Sequence, residues 1–116
     1  MSIEADLVTT LWSVFAGRIY AMVAPANVVP PYAVYQMISG VPEEVVDGSL
    51  PNLKNSRFQV SIFGRELSGI ITLVASAKGA MNSASLFKAT CRNEMDSFED
   101  PALLYGKLID FSVWHN

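Results

Sequence analysis

The stretch from Ser56 to Gly64, SRFQVSIFG, alternates with a period of two: Phe58, Val60 and Ile62 fall on one side of an extended chain, Arg57, Gln59, Ser61 and Phe63 on the other. A helix would scatter these residues around its axis, so the pattern demands a strand with one buried face. Slipping the register by one residue would put three apolar side chains into water. At about 1.5–3 kcal/mol for each fully buried side chain, that penalty is on the scale of a domain's whole stability. Something apolar must cover the face.

Two segments carry the helical period that could do so. Ile3, Leu7, Leu11, Val14 and Phe15 recur at steps of three and four, predicting a helix from Ile3 to Ala16 capped by Ser2 and stopped by Gly17, with Trp12 at the edge of its apolar stripe. Glu66 to Met81 predicts a second, with Leu67, Ile70, Ile71, Val74, Ala77 and Met81 on one face. Between them, RIYAMVAPANVVPP is punctuated by proline and reads as extended chain lying across the body. Pro31 then opens a strand, YAVYQMIS, in which Val34 and Ile38 share a face with Tyr32, and Tyr35 and Met37 share the other. The segment from Gly40 to Asn55 reads as a long connection or protruding hairpin. Further strands are predicted at LFKATCRN (86–93) and KLIDFSVWH (107–115), separated by an acidic loop, EMDSFEDPALLYG, with a helical turn at Pro101 to Tyr105.

The resulting plan is a single α+β domain over residues 1–116. It is a mostly antiparallel four-stranded sheet with two helices packed on one face, in the order helix-strand-strand-helix-strand-strand. The uncovered face would then show Tyr35, Met37, Phe63 and Trp114 among Gln59, Ser61, Asp110 and Ser112. That mixture is too apolar for free solvent and too polar for a second core, and it suits a subunit interface. Composition points the same way: only 16% of residues are charged, against about 25% in typical globular domains. A surface so poor in charge favours self-association or docking into something larger.

Function classes fall away in turn. A net charge of −3 with scattered basic residues does not suit a phosphate backbone, so no sequence-specific nucleic acid is expected as partner. No membrane is expected either, because proline, serine or lysine breaks every apolar run. The first residues carry early acids and no basic leader, and do not read as a secretory signal. A lone cysteine, Cys91, gives no disulfide framework, fits a reducing compartment and reads as a buried structural thiol. The single histidine, His115, sits one residue from the end, where it is expected to be exposed and poorly held for catalysis or metal binding. Two carboxylate pairs, Glu43 with Glu44 and Glu99 with Asp100, could divide acid and base roles, but adjacent acids on extended chain point apart. GIITLVASAKGA and GRELSG match neither the P-loop nor the dinucleotide spacing. The expectation is a non-enzymatic structural part, with no catalytic residue, cofactor or metal.

The proline-rich segment carries something more specific. Gly17-Arg18-Ile19-Tyr20, Val23-Ala24-Pro25, Pro31-Tyr32-Ala33-Val34-Tyr35-Gln36 and Ile38-Ser39-Gly40-Val41-Pro42, then Asp47-Gly48, Arg57 to Ile62 and Asp110 to Trp114, resemble in order and spacing the phage and prophage tail completion proteins, also described as tail terminator or head-tail joining proteins. The match spans nearly the whole chain. It departs at Ala21-Met22, where a proline is common, and the middle loop is not transferable. The resemblance implies a virion protein, assembled in the host bacterial cytoplasm, that forms a ring, expected as a hexamer, at the head-proximal end of the tail. There it would meet the major tail tube protein and the head-tail connector protein. Tyr20, Tyr35, Met37, Phe63 and Trp114 are the expected contact residues, with Val41 to Asn55 as a loop toward tube or connector. The alternatives are a head-closure or minor tail protein, or, from another class, a small ligand-binding or enzymatic domain whose pocket unites the two carboxylate pairs.

Overall fold

A computed structural model describes residues 2–39, 54–99 and 104–115. In chain order the elements are α1 (Ile3–Leu11), β1 (Ile19–Ala21), β2 (Tyr32–Ser39), β3 (Lys54–Gly64), α2 (Leu67–Asn82), β4 (Lys88–Glu99) and β5 (Leu104–His115). The sheet runs β1-β2-β3-β5-β4. The first pair is parallel and the other three are antiparallel. The expected four-stranded plan is therefore corrected to a mixed five-stranded sheet in the order α β β β α β β. The missed strand, β1, has three residues, too few to display a period, and leads straight into the proline-rich segment.

α1 begins where the sequence places it. The Ser2 hydroxyl accepts from the Ala5 amide at 3.1 Å, and Glu4 and Asp6 sit in the first turn, where negative charge complements the helix dipole. It ends earlier than expected, at Leu11, because Ala16 and Gly17 both adopt left-handed backbone (φ 51° and 81°) to turn the chain into β1. The Gly17 amide donates to the Trp12 carbonyl at 2.9 Å. A Cβ at Gly17 would also meet the Trp12 ring at 3.1 Å, so the indole lies where only glycine leaves room.

β3, the central strand, behaves as its alternation requires: Phe58, Val60 and Ile62 are fully buried. β5 contributes Ile109, Phe111 and Val113 to the same face. Against them pack Leu7 and Leu11 of α1, Phe15 of the following turn, and Ile70, Val74, Ala77 and Met81 of α2. The α2 stripe is narrower than its sequence suggests, for Leu67 and Ile71 are about half exposed.

Register decides the faces of β2 against expectation. Ala33 opposes the buried Ile62, Tyr35 opposes Val60, and Met37 opposes Phe58. Tyr35 and Met37 thus lie on the helix-covered side, and Tyr32 and Val34 on the open side beside Phe63 and Ser61. Both sets are apolar, so alternation within β2 carries no information about which goes inward. The region expected as an acidic loop is also corrected: β4 continues through Glu94-Met95-Asp96-Ser97-Phe98, paired to β5 down to Glu99 opposite Leu104. It escapes notice in the sequence because neither face of this edge strand is buried along residues 94–98, so apolar and polar positions do not sort into inside and outside. The expected helical turn at Pro101 to Tyr105 falls partly outside the described residues, and Leu104 and Tyr105 are strand.

Candidate interaction surface

The open face of the sheet is built by all five strands, β4 bringing Lys88, Thr90, Asn93 and Met95 opposite Trp114, Ser112, Asp110 and Leu108. β1 brings Tyr20, in register with Val34; β2 brings Tyr32, Val34 and Gln36; β3 brings Arg57, Gln59, Ser61 and Phe63; β5 brings Leu108, Asp110, Ser112 and Trp114. Of the five expected contact residues, Tyr20, Phe63 and Trp114 are on this face, all half-buried. Tyr35 and Met37 are not. The Tyr35 ring meets Phe58 edge-on, with centroids 6.4 Å apart. Burial, and secondarily the nearby Glu4 charge, pushes the Tyr35 hydroxyl pKa up. Met37 is partly exposed on that side.

The open face is knitted by polar and aromatic pairs. Arg57 and Asp110 form an ion pair across β3 and β5, and the Asn55 amide donates to the Ser112 hydroxyl at 2.8 Å. The pair engages a single oxygen: Arg57 Nε and Asp110 Oδ1 are buried without a hydrogen-bond partner. The Tyr32 and Phe63 rings stack at a tilt, centroids 5.4 Å apart. Phe63 lies over Gly106, where an added Cβ would come within 3.0 Å of two ring carbons. The ring position therefore depends on the absence of a side chain across the strand.

The proline-rich segment does not merely cross the body. β1 ends as Met22 takes a left-handed conformation (φ 65°), and its amide donates to the Tyr35 carbonyl at 2.8 Å. The chain then swings over the open face and returns at Pro30 and Pro31, where Arg18 Nε donates to the Pro31 carbonyl at 2.9 Å. Segment and sheet enclose a trough of about 630 Å³, with Pro25, Val28 and Pro30 on the wall, Val34, Gln59, Ser61 and Phe63 on the floor, and Arg65 at the rim. Met22, Val23 and Val29 project outward, each about two-thirds exposed or more.

At the other edge of the sheet, the β4–β5 ribbon exposes apolar side chains on both of its faces. Phe98 and Tyr105 pair with centroids 5.3 Å apart, and Met95 projects from the opposite side of the ribbon. All three are 40–54% exposed. Sequence reasoning missed them by reading Glu94 to Gly106 as a loop. The signal available was the alternation of Glu94, Asp96 and Phe98 with Met95 and Ser97. Behind them Lys107 binds Asp96 at 2.8 Å and lies 3.8 Å from Glu94, which in turn pairs with Lys78. The hydrogen bond to Asp96 raises the Lys107 pKa, and that to Glu94 raises the Lys78 pKa.

The residues with latent chemistry are placed differently from expectation. His115 is half-buried, its Nε2 2.8 Å from the Ser56 hydroxyl, rather than frayed. Cys91 is exposed rather than buried, because β4 bulges between Cys91 and Asn93 at the sheet edge. Glu43, Glu44 and Asp100 lie outside the described residues, as does the expected loop from Val41 as far as Leu53; Lys54 and Asn55 belong to β3. Among the described residues no three His, Cys, Asp or Glu side chains are grouped to hold a metal, and no helix is long and apolar enough to cross a membrane.

Comparison with known proteins gives two findings. The family model described as Tail completion protein gp17 matches residues 7–116. A chain from a structure titled "Virion of native gene transfer agent (GTA) particle" superposes with a TM-score of 0.67, covering 97% of this chain and 93% of that one at 12% identity, a likeness of fold. No curated protein matches the sequence.

Proposed function

Starting from the fact that the chain belongs to the Tail completion protein gp17 family, we propose that it is a non-enzymatic virion protein that closes the head-proximal end of a phage or prophage tail as a ring of identical subunits, and there meets the head connector. The family match over residues 7–116 carries this reading. The fold shared with a chain of a phage-like particle supports a place in the virion. Surface chemistry supports assembly: low charge, an open sheet face bearing Tyr20, Tyr32, Val34, Phe63 and Trp114, and exposed apolar side chains at Met22, Val23, Met95, Phe98 and Tyr105. A ring of copies needs a heterologous contact whose rotation closes, and each joint of ordinary size buries about 800 Å² per partner. The major tail tube protein, the connector and further copies of the chain are the partners this role requires.

The test is to add the purified protein to tails isolated from a mutant lacking it and to locate it by negative-stain electron microscopy. It is expected as a single ring at the head-proximal end, converting the tails to a form that joins filled heads. Binding confined to heads in the absence of tails would make it a head-closure protein instead, and binding along the tube or at the distal tip a minor tail protein.

A further inference from the structure

Two surfaces described above lie on opposite faces of one sheet: the trough over β2 and β3, reaching Leu104 of β5, on the open face, and the exposed Phe98–Tyr105 pair of β4 and β5 on the helix side. The geometry points to these as the two halves of one contact, in which the β4–β5 ribbon of one copy enters the trough of the next. This rests on the ring reading above and specifies its joint. The trough is on the open face of the sheet and the Phe98–Tyr105 pair on the helix side, so a single chain cannot close the contact on itself. The chemistry is complementary. The trough has apolar walls, a floor with Gln59 and Ser61, and Arg65 at its rim. The ribbon presents two aromatic rings beside the strongly exposed Asp96 carboxylate, which Lys107 also binds. Its volume, about 630 Å³, falls within the roughly 300–1,000 Å³ of clefts that enclose a compact group. The preorganised proline-rich wall loses little freedom when a neighbour presses on it. Unlike patches meeting head to tail generate rings or open filaments, whereas like patches would stop at a dimer.

The experiment uses two full-length variants, Phe98→Ser with Tyr105→Ser on the ribbon, and Val34→Arg in the trough, each checked for native circular dichroism. Sedimentation and native mass spectrometry follow assembly, and a Phe98→Cys, Ala26→Cys pair in a Cys91→Ser background traps weak contacts by oxidation. Wild type is expected to form closed oligomers and the cysteine pair a cross-linked ladder. Each variant alone is expected to stay monomeric, and their mixture to give a one-to-one dimer, since one good joint remains per pair. Wild-type assembly with both variants assembling normally would overturn this joint and leave the ring reading standing. Absence of both assembly and cross-linking would overturn the joint and the free ring together. Protection of trough and ribbon only when tail tubes are added, with no cross-link between copies, would assign them to the tube and refute the joint.

Discussion

Gly106→Ala isolates a single close approach in the sheet. The added Cβ would lie 3.0 Å from Cδ1 and Cε1 of Phe63, whereas the Ser97 Cβ at 3.5 Å is an ordinary contact. Gly106 has no left-handed φ, so the backbone tolerates alanine and the whole difficulty is the ring. Overpacking of this kind costs about 1–3 kcal/mol. Alanine in a strand interior returns about 0.5–1 kcal/mol relative to glycine, leaving a net loss centred on about 1 kcal/mol and at most about 2.5 kcal/mol. For a domain of this size the central value is roughly 4 °C in Tm. In a Phe63→Ala background the clash is gone, so Gly106→Ala should become stabilising by about 0.5–1 kcal/mol. The reversal of sign is a coupling between contacting residues, measured by a double-mutant cycle in urea. A neutral or stabilising Gly106→Ala in the wild type, or a loss that persists without the ring, would refute the reasoning.

Two further outcomes test the core and its charges. Ile70 is buried and Ile71 half exposed on the same helix, so Ile70→Ala should cost about 2–5 kcal/mol and Ile71→Ala no more than about 1 kcal/mol by equilibrium urea unfolding; equal losses would show that α2 buries a broader stripe. Lys78 and Lys107 have raised pKa values from their carboxylate partners, and Tyr35 from burial. All three hold protons more tightly folded than unfolded. Their contribution is complete below the unfolded values of about 10 to 10.4 and is lost as pH rises through the folded ones. Thermal melts should therefore lose stability above about pH 10, less steeply in a Lys107→Met variant; a Tm indifferent to alkali would contradict these partners.

The parts of the fold legible in the sequence are those where one face is apolar and the other is not. β3 and β5 alternate strictly, and the structure buries Phe58, Val60, Ile62, Ile109, Phe111 and Val113 as that pattern demands. β2 is apolar on both sides, so its orientation is set by pairing to β3: Ala33 opposite Ile62 leaves room under the helices, and Tyr35 and Met37 follow it inward. The contact set named from sequence is split accordingly, with Tyr20, Phe63 and Trp114 on the open face and the other two behind it. The resemblance to tail completion proteins rested on residues spread across the chain, and the family match bears it out. The stretch of β4 carrying Phe98 was illegible because burial, the source of the strand signal, is slight along this outer edge of the sheet.

The two sheet edges also differ in how they are protected, and that difference bears on the direction of assembly. β1 offers three residues before Met22 turns away and the proline-rich segment folds over it, a short edge closed by its own chain. β4 offers twelve residues interrupted by a bulge at Cys91 to Asn93 and studded with Lys88, Arg92, Glu94 and Asp96. Charge and bulges are the usual means by which an edge discourages pairing with its own kind. Two copies meeting β4 to β4 would leave both troughs uncovered. In the joint proposed above, the β4–β5 edge of one copy would instead meet the trough of the next, which has Arg65 at its rim. Edge asymmetry thus disfavours the symmetric dimer and favours the head-to-tail joint, the arrangement a closed ring of identical subunits requires.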